Sequence, residues 1–87
     1  MERFSTSLLF DWYGSLLSEQ QRDCYDLYCN EDLSLTEIAE LKGVSRQGVW
    51  DNIRHAESRL KDFEEKTGLL KRIQELESII EKNNYGV

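Results

Sequence analysis

The stretch GVSRQGVWDNIRHA, residues 43–56, predicts a glycine turn that leads into an amphipathic helix. Gly43 can adopt the left-handed backbone conformation that closes one helix, and Ser45 can accept a hydrogen bond from the first free amides of the next. Val49 and Ile53 are four residues apart, and Ala56 follows three residues later, which predicts a buried stripe. The polar and aromatic side chains of the same helix then face outward: Arg46, Gln47, Trp50, Asp51 and Arg54.

A second capped helix precedes this turn. Ser34 and Glu37 have the spacing of a capping box and predict a short helix that ends at Leu41. Ile38, Ala39 and Leu41 are expected to face inward, and the small Ala39 would allow the two helices to cross closely. Two capped helices joined by a three-residue turn are typical of a helix-turn-helix, whose second helix can lie in the DNA major groove.

The remaining sequence predicts three further helices and no strands. They cover residues 4–17, residues from the Ser18–Gln21 capping box to about residue 30, and residues 69–83, while the helix that starts after Ser45 runs to Lys66. The inward residues expected outside the turn are Leu8, Leu9, Tyr13, Leu16, Leu17, Cys24, Tyr25, Tyr28, Leu60 and Phe63. We therefore expect an all-α, five-helix single domain over residues 1–87, with its core at residues 18–66 and a long C-terminal helical extension.

Composition favours a soluble helical domain. The chain has 87 residues, no proline, 39% hydrophobic residues and a formal net charge of -6. No apolar run approaches the roughly 20 residues of a membrane helix. The first 17 residues resemble an amphipathic helix more than a signal peptide, because Asp11 and Trp12 interrupt the apolar run. We expect a cytoplasmic protein that does not insert into membranes.

The charge is unevenly distributed. Residues 1–33 contain seven acidic and two basic residues, whereas residues 34–62 contain five of each. The outward face of the predicted second helix is therefore close to neutral, which predicts weak non-specific DNA binding because that binding depends on neutralised phosphates.

Each outward side chain has a specific chemical use against DNA. Arg46 and Arg54 could contact guanine edges or phosphates, Gln47 could pair with adenine, and Asp51 could accept from cytosine. Trp50 could stack on a base or anchor a protein interface, or it could cover the edge of its own core. Exposed Lys42 and the helix amides near Ser45 could bind phosphate. Gly48 lowers helix propensity, which suggests a close approach to the preceding helix or to a partner.

The two terminal helices predict a second surface. Leu69, Ile73, Leu76 and Ile80 form an apolar stripe on the last helix. This stripe and the first helix could cover each other within one chain or across two chains. We favour a homodimer through these four residues, because two-fold symmetry also suits paired DNA half-sites.

No catalytic, metal or cofactor site emerges from the sequence. Cys24 and Cys29 are five residues apart in a predicted helix and point in different directions, and the single His55 lies on another helix. There is no nucleophile–base pair and no glycine-rich phosphate loop. We expect no enzyme activity, no metal and no cofactor.

The run LSEQQRDCYDLYCNEDLSLTEIAELKGVSRQGVWDNIRHAESRL, residues 17–60, resembles the C-terminal promoter-reading region of bacterial sigma factors. Together with the leading helix, it resembles more closely the small stand-alone YlxM (p13) proteins of Gram-positive bacteria. That resemblance implies a DNA-binding or regulatory role and, through gene neighbourhood, a link to the signal recognition particle pathway. This chain departs from sigma-like helices at Trp50, where they usually have Lys or Arg.

The sequence is therefore compatible with two functions. The first is a DNA-binding regulatory module that uses the helix-turn-helix. The second is a protein-binding adaptor that uses the same scaffold to bind components of the targeting pathway.

Overall fold

A computed structural model describes the backbone of residues 4–85 and the side chains of residues 4–82. In this part of the chain the structure is entirely helical, with five α-helices and no strand, as the sequence predicts. The helices are α1 (Thr6–Tyr13), α2 (Glu19–Cys29), α3 (Leu35–Lys42), α4 (Arg46–Thr67) and α5 (Leu69–Tyr85). A short 3₁₀ turn, Gly14–Leu16, follows α1.

Serine side chains begin four of the helices. The side chains of Ser5, Ser18, Ser34 and Ser45 each accept a hydrogen bond from the backbone amide three residues later. Both predicted capping boxes are formed, at the starts of α2 and α3. These caps fix the helix boundaries locally, because each satisfies an amide that has no partner inside its own helix.

The core has two parts, and α4 contributes to both. The helix-turn-helix cluster joins α2, α3 and the first half of α4, and it consists of Cys24, Ile38, Ala39, Val49 and Ile53. The first-helix cluster joins α1, α2, the second half of α4 and the start of α5, and it consists of Leu9, Tyr13, Leu17, Tyr25, Ala56, Leu60 and Leu70. Helix α4 is therefore the central element against which α1, α2 and α3 all pack.

Four residues that were expected in the core are exposed instead: Leu8, Leu16, Tyr28 and Leu41. The α-helical part of the first segment ends at Tyr13, and the tighter 3₁₀ turn buries Leu17 but leaves Leu16 outside. At the other turn, Leu41 is 64% exposed, whereas Val44 after Gly43 packs against the helix-turn-helix cluster.

The junction between α4 and α5 is held by hydrogen bonds from several elements. Gly68 has φ 62°, in the left-handed region, and ends α4. The Glu64 carboxylate accepts hydrogen bonds from the backbone amides of Leu70 (3.0 Å) and Lys71 (3.3 Å), so a side chain of α4 caps α5. The start of α5 is thereby fixed to the end of α4.

Tyr13 ties α1 to the same junction. Its hydroxyl donates to Glu64 at 2.6 Å and lies 2.7 Å from the Thr67 hydroxyl. Burial raises the pKa of the Tyr13 hydroxyl, and the hydrogen bond to Glu64 raises it further. Burial alone would raise the pKa of the Glu64 carboxyl, but the hydrogen bonds from Tyr13 and the two amides bring it below its usual 4.5.

Beyond this junction α5 leaves the core. Leu70 is 4% exposed, but none of the side chains between residues 71 and 82 is buried. The molecule accordingly measures 58 × 24 × 21 Å, and its radius of gyration is 16.6 Å. A compact domain of this length would have a radius of gyration of about 12 Å. Helix α5 is thus an extension that the described residues leave largely uncovered.

Candidate nucleic-acid interface

The turn between α3 and α4 has the geometry that a helix-turn-helix requires. Gly43 has φ 68° and ψ 34°, and its amide donates to the carbonyl of Ala39. The amide of Val44 donates to the same carbonyl at 3.1 Å. Ser45 then returns to an extended conformation and begins α4. Because Gly43 is left-handed, the chain turns within residues 43–45, and the start of α4 lies beside the end of α3.

Buried residues anchor α4 from below. Val49 and Ile53 are 0% and 1% exposed and pack with Ile38 and Ala39 of α3. Cys24 of α2 completes this cluster, and burial raises the pKa of its thiol. The first half of α4 is therefore held in place by a buried apolar cluster, and its opposite face is exposed to solvent in a fixed orientation.

The predicted outward residues all lie on that opposite face. The exposed side chains are Arg46, Gln47, Trp50, Asp51 and Arg54. Among the described residues, neither arginine forms an ion pair. Gln47 donates to the Asp51 carboxylate at 2.9 Å, so the predicted adenine and cytosine readers bond each other in the free protein. Reading a base with Gln47 would require exchange of this hydrogen bond.

Lys42 differs from the expectation of an exposed phosphate contact. Its ammonium lies 2.8 Å from the carboxylate of Asp23 on α2, and its side chain is only 23% exposed. The hydrogen bond to Asp23 raises the pKa of Lys42 above 10.5. The charge is compensated inside the fold, and sequence reasoning missed this pair because its members are 19 residues apart and on different helices.

Trp50 belongs to an aromatic pair at the surface. Its ring centroid lies 6.4 Å from that of Tyr28 at an interplanar angle of 72°, an edge-to-face arrangement. The two residues are 37% and 38% exposed. Trp50 therefore covers the rim of α2 and leaves part of its ring exposed.

Contacts within α4 explain why position 48 is a glycine. A Cβ at this position would lie 3.1 Å from the hydroxyl of Ser45, the residue that caps α4. The Gly48 amide is also the donor to that hydroxyl, at 3.0 Å. The close approach that the sequence suggested is thus to the cap of its own helix rather than to α3.

The predicted dimer residues lie on the extension. Leu69, Leu76 and Ile80 are 52%, 43% and 58% exposed, and Ile73 is half-buried. Ile79, which the sequence analysis did not select, is 51% exposed beside them. Leu70, which it also missed, is the residue of α5 that enters the core.

Other chemistry is sparse in the described part of the chain. Cys24 is buried and Cys29 is exposed, and both are free thiols. Residues 4–82 contain no group of three or more side chains suited to hold a metal ion. None of the described helices combines the length and apolar content needed to cross a membrane.

The chain is similar to known proteins over nearly its full length. Residues 1–85 match the family model UPF0122, described as "Putative helix-turn-helix protein, YlxM / p13 like". A UPF0122 protein of Thermoanaerobacter sp. (strain X514) is 48% identical over 81 residues, which are 93% of this chain and 69% of that protein. A UPF0122 protein of Bacillus cereus (strain AH187) is 50% identical over 74 residues, 85% of this chain and 67% of the relative. The chain therefore belongs to the UPF0122 family of YlxM / p13-like helix-turn-helix proteins.

Proposed function

We propose that this protein is a DNA-binding regulatory protein and that α4 is its recognition helix. The observation that carries the proposal is the rigid presentation of the start of α4. Its base is buried in the helix-turn-helix cluster, and Arg46, Gln47 and Arg54 are exposed on the other side. In a helix-turn-helix, the second helix, supported in this way by a short first helix, is the one that enters the major groove.

The side chains of this face suit direct contacts with bases. Arg46 and Arg54 have guanidinium groups that can bind guanine through two hydrogen bonds, and they have no ion-pair partner among the described residues. Gln47 can bind adenine once it releases Asp51. The released Asp51 carboxylate can then accept from a cytosine amino group.

Charge limits the strength of such binding. The chain carries a net charge of -6, and Lys42 is already paired with Asp23. Each phosphate contact contributes about -0.9 to the slope of log K against log salt. Even if both arginines contacted phosphates instead of bases, the slope would be only about -2, which is small for a DNA-binding protein. Affinity should therefore come mainly from base contacts rather than from general attraction to phosphate.

Selection of bound sequences from random double-stranded DNA tests the proposal. The selection should be run at about 50 mM and 200 mM salt, because only base-specific enrichment survives the higher concentration. Enrichment of one motif at both concentrations supports a DNA-binding function. Absence of enrichment at the lower concentration would overturn it.

Single variants then locate the contacts. Arg46→Ala and Gln47→Ala should each relax preference at one base position and weaken binding to the selected site by about 1–3 kcal/mol. Lys61→Ala is the matched control, because it removes one exposed positive charge further along α4. The control should leave the preferred motif unchanged. If Arg46→Ala behaves like Lys61→Ala, Arg46 does not read a base.

Lys42→Ala should behave differently from a surface variant. It breaks the pair with Asp23, so some stability should be lost together with any phosphate contact. An exposed Lys42 that only contacts phosphate, as the sequence predicts, would affect general affinity without affecting stability. The half-buried position of Lys42 leads us to expect both effects, which a thermal melt beside the binding titration separates.

The aromatic pair favours a second candidate, a protein-binding adaptor. Tyr28 and Trp50 together present apolar area next to charged side chains, a composition common at the centres of protein interfaces. Components of the signal recognition particle pathway are the candidate partners that the family resemblance suggests. Trp50→Ala distinguishes the two functions: it should abolish binding to a purified partner under the adaptor hypothesis, whereas Arg46→Ala should have the larger effect on DNA binding.

Both candidates are non-enzymatic. Membership of a helix-turn-helix family favours a regulatory protein, and the exposed face of α4 offers hydrogen-bond donors and acceptors without a nucleophile. The proposed activity is recognition of another macromolecule.

A further inference from the structure

Helix α1 has an apolar stripe that faces away from its own core. Leu8 and Trp12 are four residues apart, so they share one face of the helix, and they are 37% and 52% exposed. Leu9 and Tyr13 lie about 100° further round the helix and are buried. Leu16, in the turn that follows, is 56% exposed. A helix of eight residues therefore has one apolar face that its chain covers and one that it does not.

Helix α5 also has an uncovered apolar face, and this face is longer than that of α1. Leu69, Ile73, Leu76 and Ile80 lie at steps of four, three and four residues on one face, and only Ile73 is even half-buried. In water, most of the stability of such a helix comes from packing its apolar face rather than from helix propensity. The Glu64 cap fixes the direction of α5 but supplies none of this packing. None of the side chains described up to residue 82 covers this face.

We propose that a second copy of this chain covers this face, with α5 of each protomer packed against the outer face of α1 of the other. The two stripes are complementary in charge as well as in apolar character. On α1, Asp11 lies between Leu8 and Trp12; on α5, Arg72 lies between Leu69 and Ile73. Both triplets have the spacing i, i+3, i+4, and their charged members have opposite signs. Within α5, Arg72 is paired with Glu75 at 3.3 Å, an exposed pair of the kind that contributes little energy, so a contact with Asp11 would replace or share it.

A symmetric dimer of this kind covers both stripes of both chains. Each protomer supplies one α1 face and one α5 face, and a two-fold axis exchanges them, which closes the assembly. Pairing α5 against α5 would leave both Trp12 side chains exposed. Large exposed aromatic residues are the commonest anchors of protein interfaces, so the arrangement that buries Trp12 is favoured.

Sedimentation of single variants tests the arrangement. The unmodified protein should be a dimer at micromolar concentration, and Trp12→Asp and Leu76→Asp should each raise the dimer dissociation constant at least about 30-fold. Leu41→Asp is the matched control, because Leu41 is 64% exposed on α3, outside both stripes. It should leave the dimer intact. Circular dichroism spectra of all three variants should match the parent, since each substituted side chain is largely exposed.

A charge exchange tests which faces meet. Asp11→Arg and Arg72→Asp should each weaken the dimer, and the double variant should restore the dissociation constant to within about threefold of the parent. A monomeric parent would overturn the proposal. A Trp12→Asp variant that dimerises like the parent, or a double variant no stronger than the two single variants, would overturn the pairing of α1 with α5.

Discussion

Helices α4 and α5 are both long and amphipathic, but of these two only α4 has its apolar face covered by the residues that the structure describes. The α4 stripe of Val49, Ile53, Ala56 and Leu60 is at most 1% exposed, whereas Leu69, Leu76 and Ile80 of α5 are 43–58% exposed. The two helices adjoin each other at Gly68 and have similar patterns of apolar residues. Apolar periodicity thus reveals that a helix has a face to bury, but not whether the same chain buries it.

The difference follows from what packs beside each helix. Three helices pack against α4, and the α4 face opposite the helix-turn-helix cluster remains polar. Helix α5 leaves the core after Leu70. The comparison therefore predicts that substitutions in α4 change stability, while substitutions in α5 change association.

Ile53→Ala should have the largest effect on stability. The side chain is 1% exposed within the helix-turn-helix cluster, and truncation of a buried isoleucine to alanine costs about 2–5 kcal/mol. Urea unfolding measures the loss. Ile80→Ala is the matched control, the same change at a side chain that is 58% exposed. Equal losses in the two variants would remove the distinction between α4 and α5.

Glu64→Gln should have the next largest effect and a distinct dependence on pH. The carboxylate accepts from Tyr13, Leu70 and Lys71, and the loss of such charge-assisted bonds should cost about 1–3 kcal/mol at pH 7. Because the pKa of Glu64 is lowered in the folded state, its contribution is present above pH 4.5 and is lost as the pH falls through the lowered pKa.

The difference in free energy of unfolding between the parent and Glu64→Gln should therefore shrink as the pH falls below about 4.5 and through the lowered pKa of Glu64. Glu65→Gln is the control, because Glu65 is exposed and neighbours Glu64 on α4. A difference that stays constant across this range would mean that the ionised carboxylate does not stabilise the junction.

Gly43→Ala should have a smaller effect that depends on backbone conformation alone. Gly43 has φ 68°, and a Cβ there would meet no atom within 4 Å, so the cost of about 1–2 kcal/mol would be conformational. Gly43→Asn should cost less, because asparagine tolerates the left-handed region better. Thermal melts of both variants provide the measurement. Equal melting temperatures for the parent and Gly43→Ala would show that the turn can adopt another conformation.

Local signals predicted most of the fold. The capping serines, the left-handed Gly43 and the four-and-three spacing of Val49, Ile53 and Ala56 each act within a few residues, and the structure contains all of them. The resemblance to the YlxM (p13) family is likewise confirmed by the family match. A signal that is complete within one turn of helix can be recognised without the rest of the chain.

Interactions between distant residues were not predictable in this way. The Lys42–Asp23 pair spans 19 residues, and the bond from Tyr13 to Glu64 spans 51. The sequence assigned Leu8 and Leu16 to the buried side of the first helix, but α1 buries Leu9 and Tyr13 instead of Leu8, and the 3₁₀ turn after Tyr13 leaves Leu16 exposed. Which face of a short helix is buried depends on where it ends and on what packs against it, and neither is encoded locally.

The smallest expected effect is that of Leu76→Ala on the stability of the isolated protomer. Leu76 is 43% exposed, and substitutions at such positions usually change the free energy of unfolding by less than about 0.5 kcal/mol. The measurement requires a monomer, so Trp12→Asp serves as the background if it dissociates the dimer as proposed. In that background Leu76→Ala should leave the urea midpoint nearly unchanged, while in the dimeric parent it should lower the midpoint in a concentration-dependent manner. A large loss of stability in the monomer would mean that Leu76 packs within its own chain. The proposed difference between a buried α4 face and an uncovered α5 face would then be wrong.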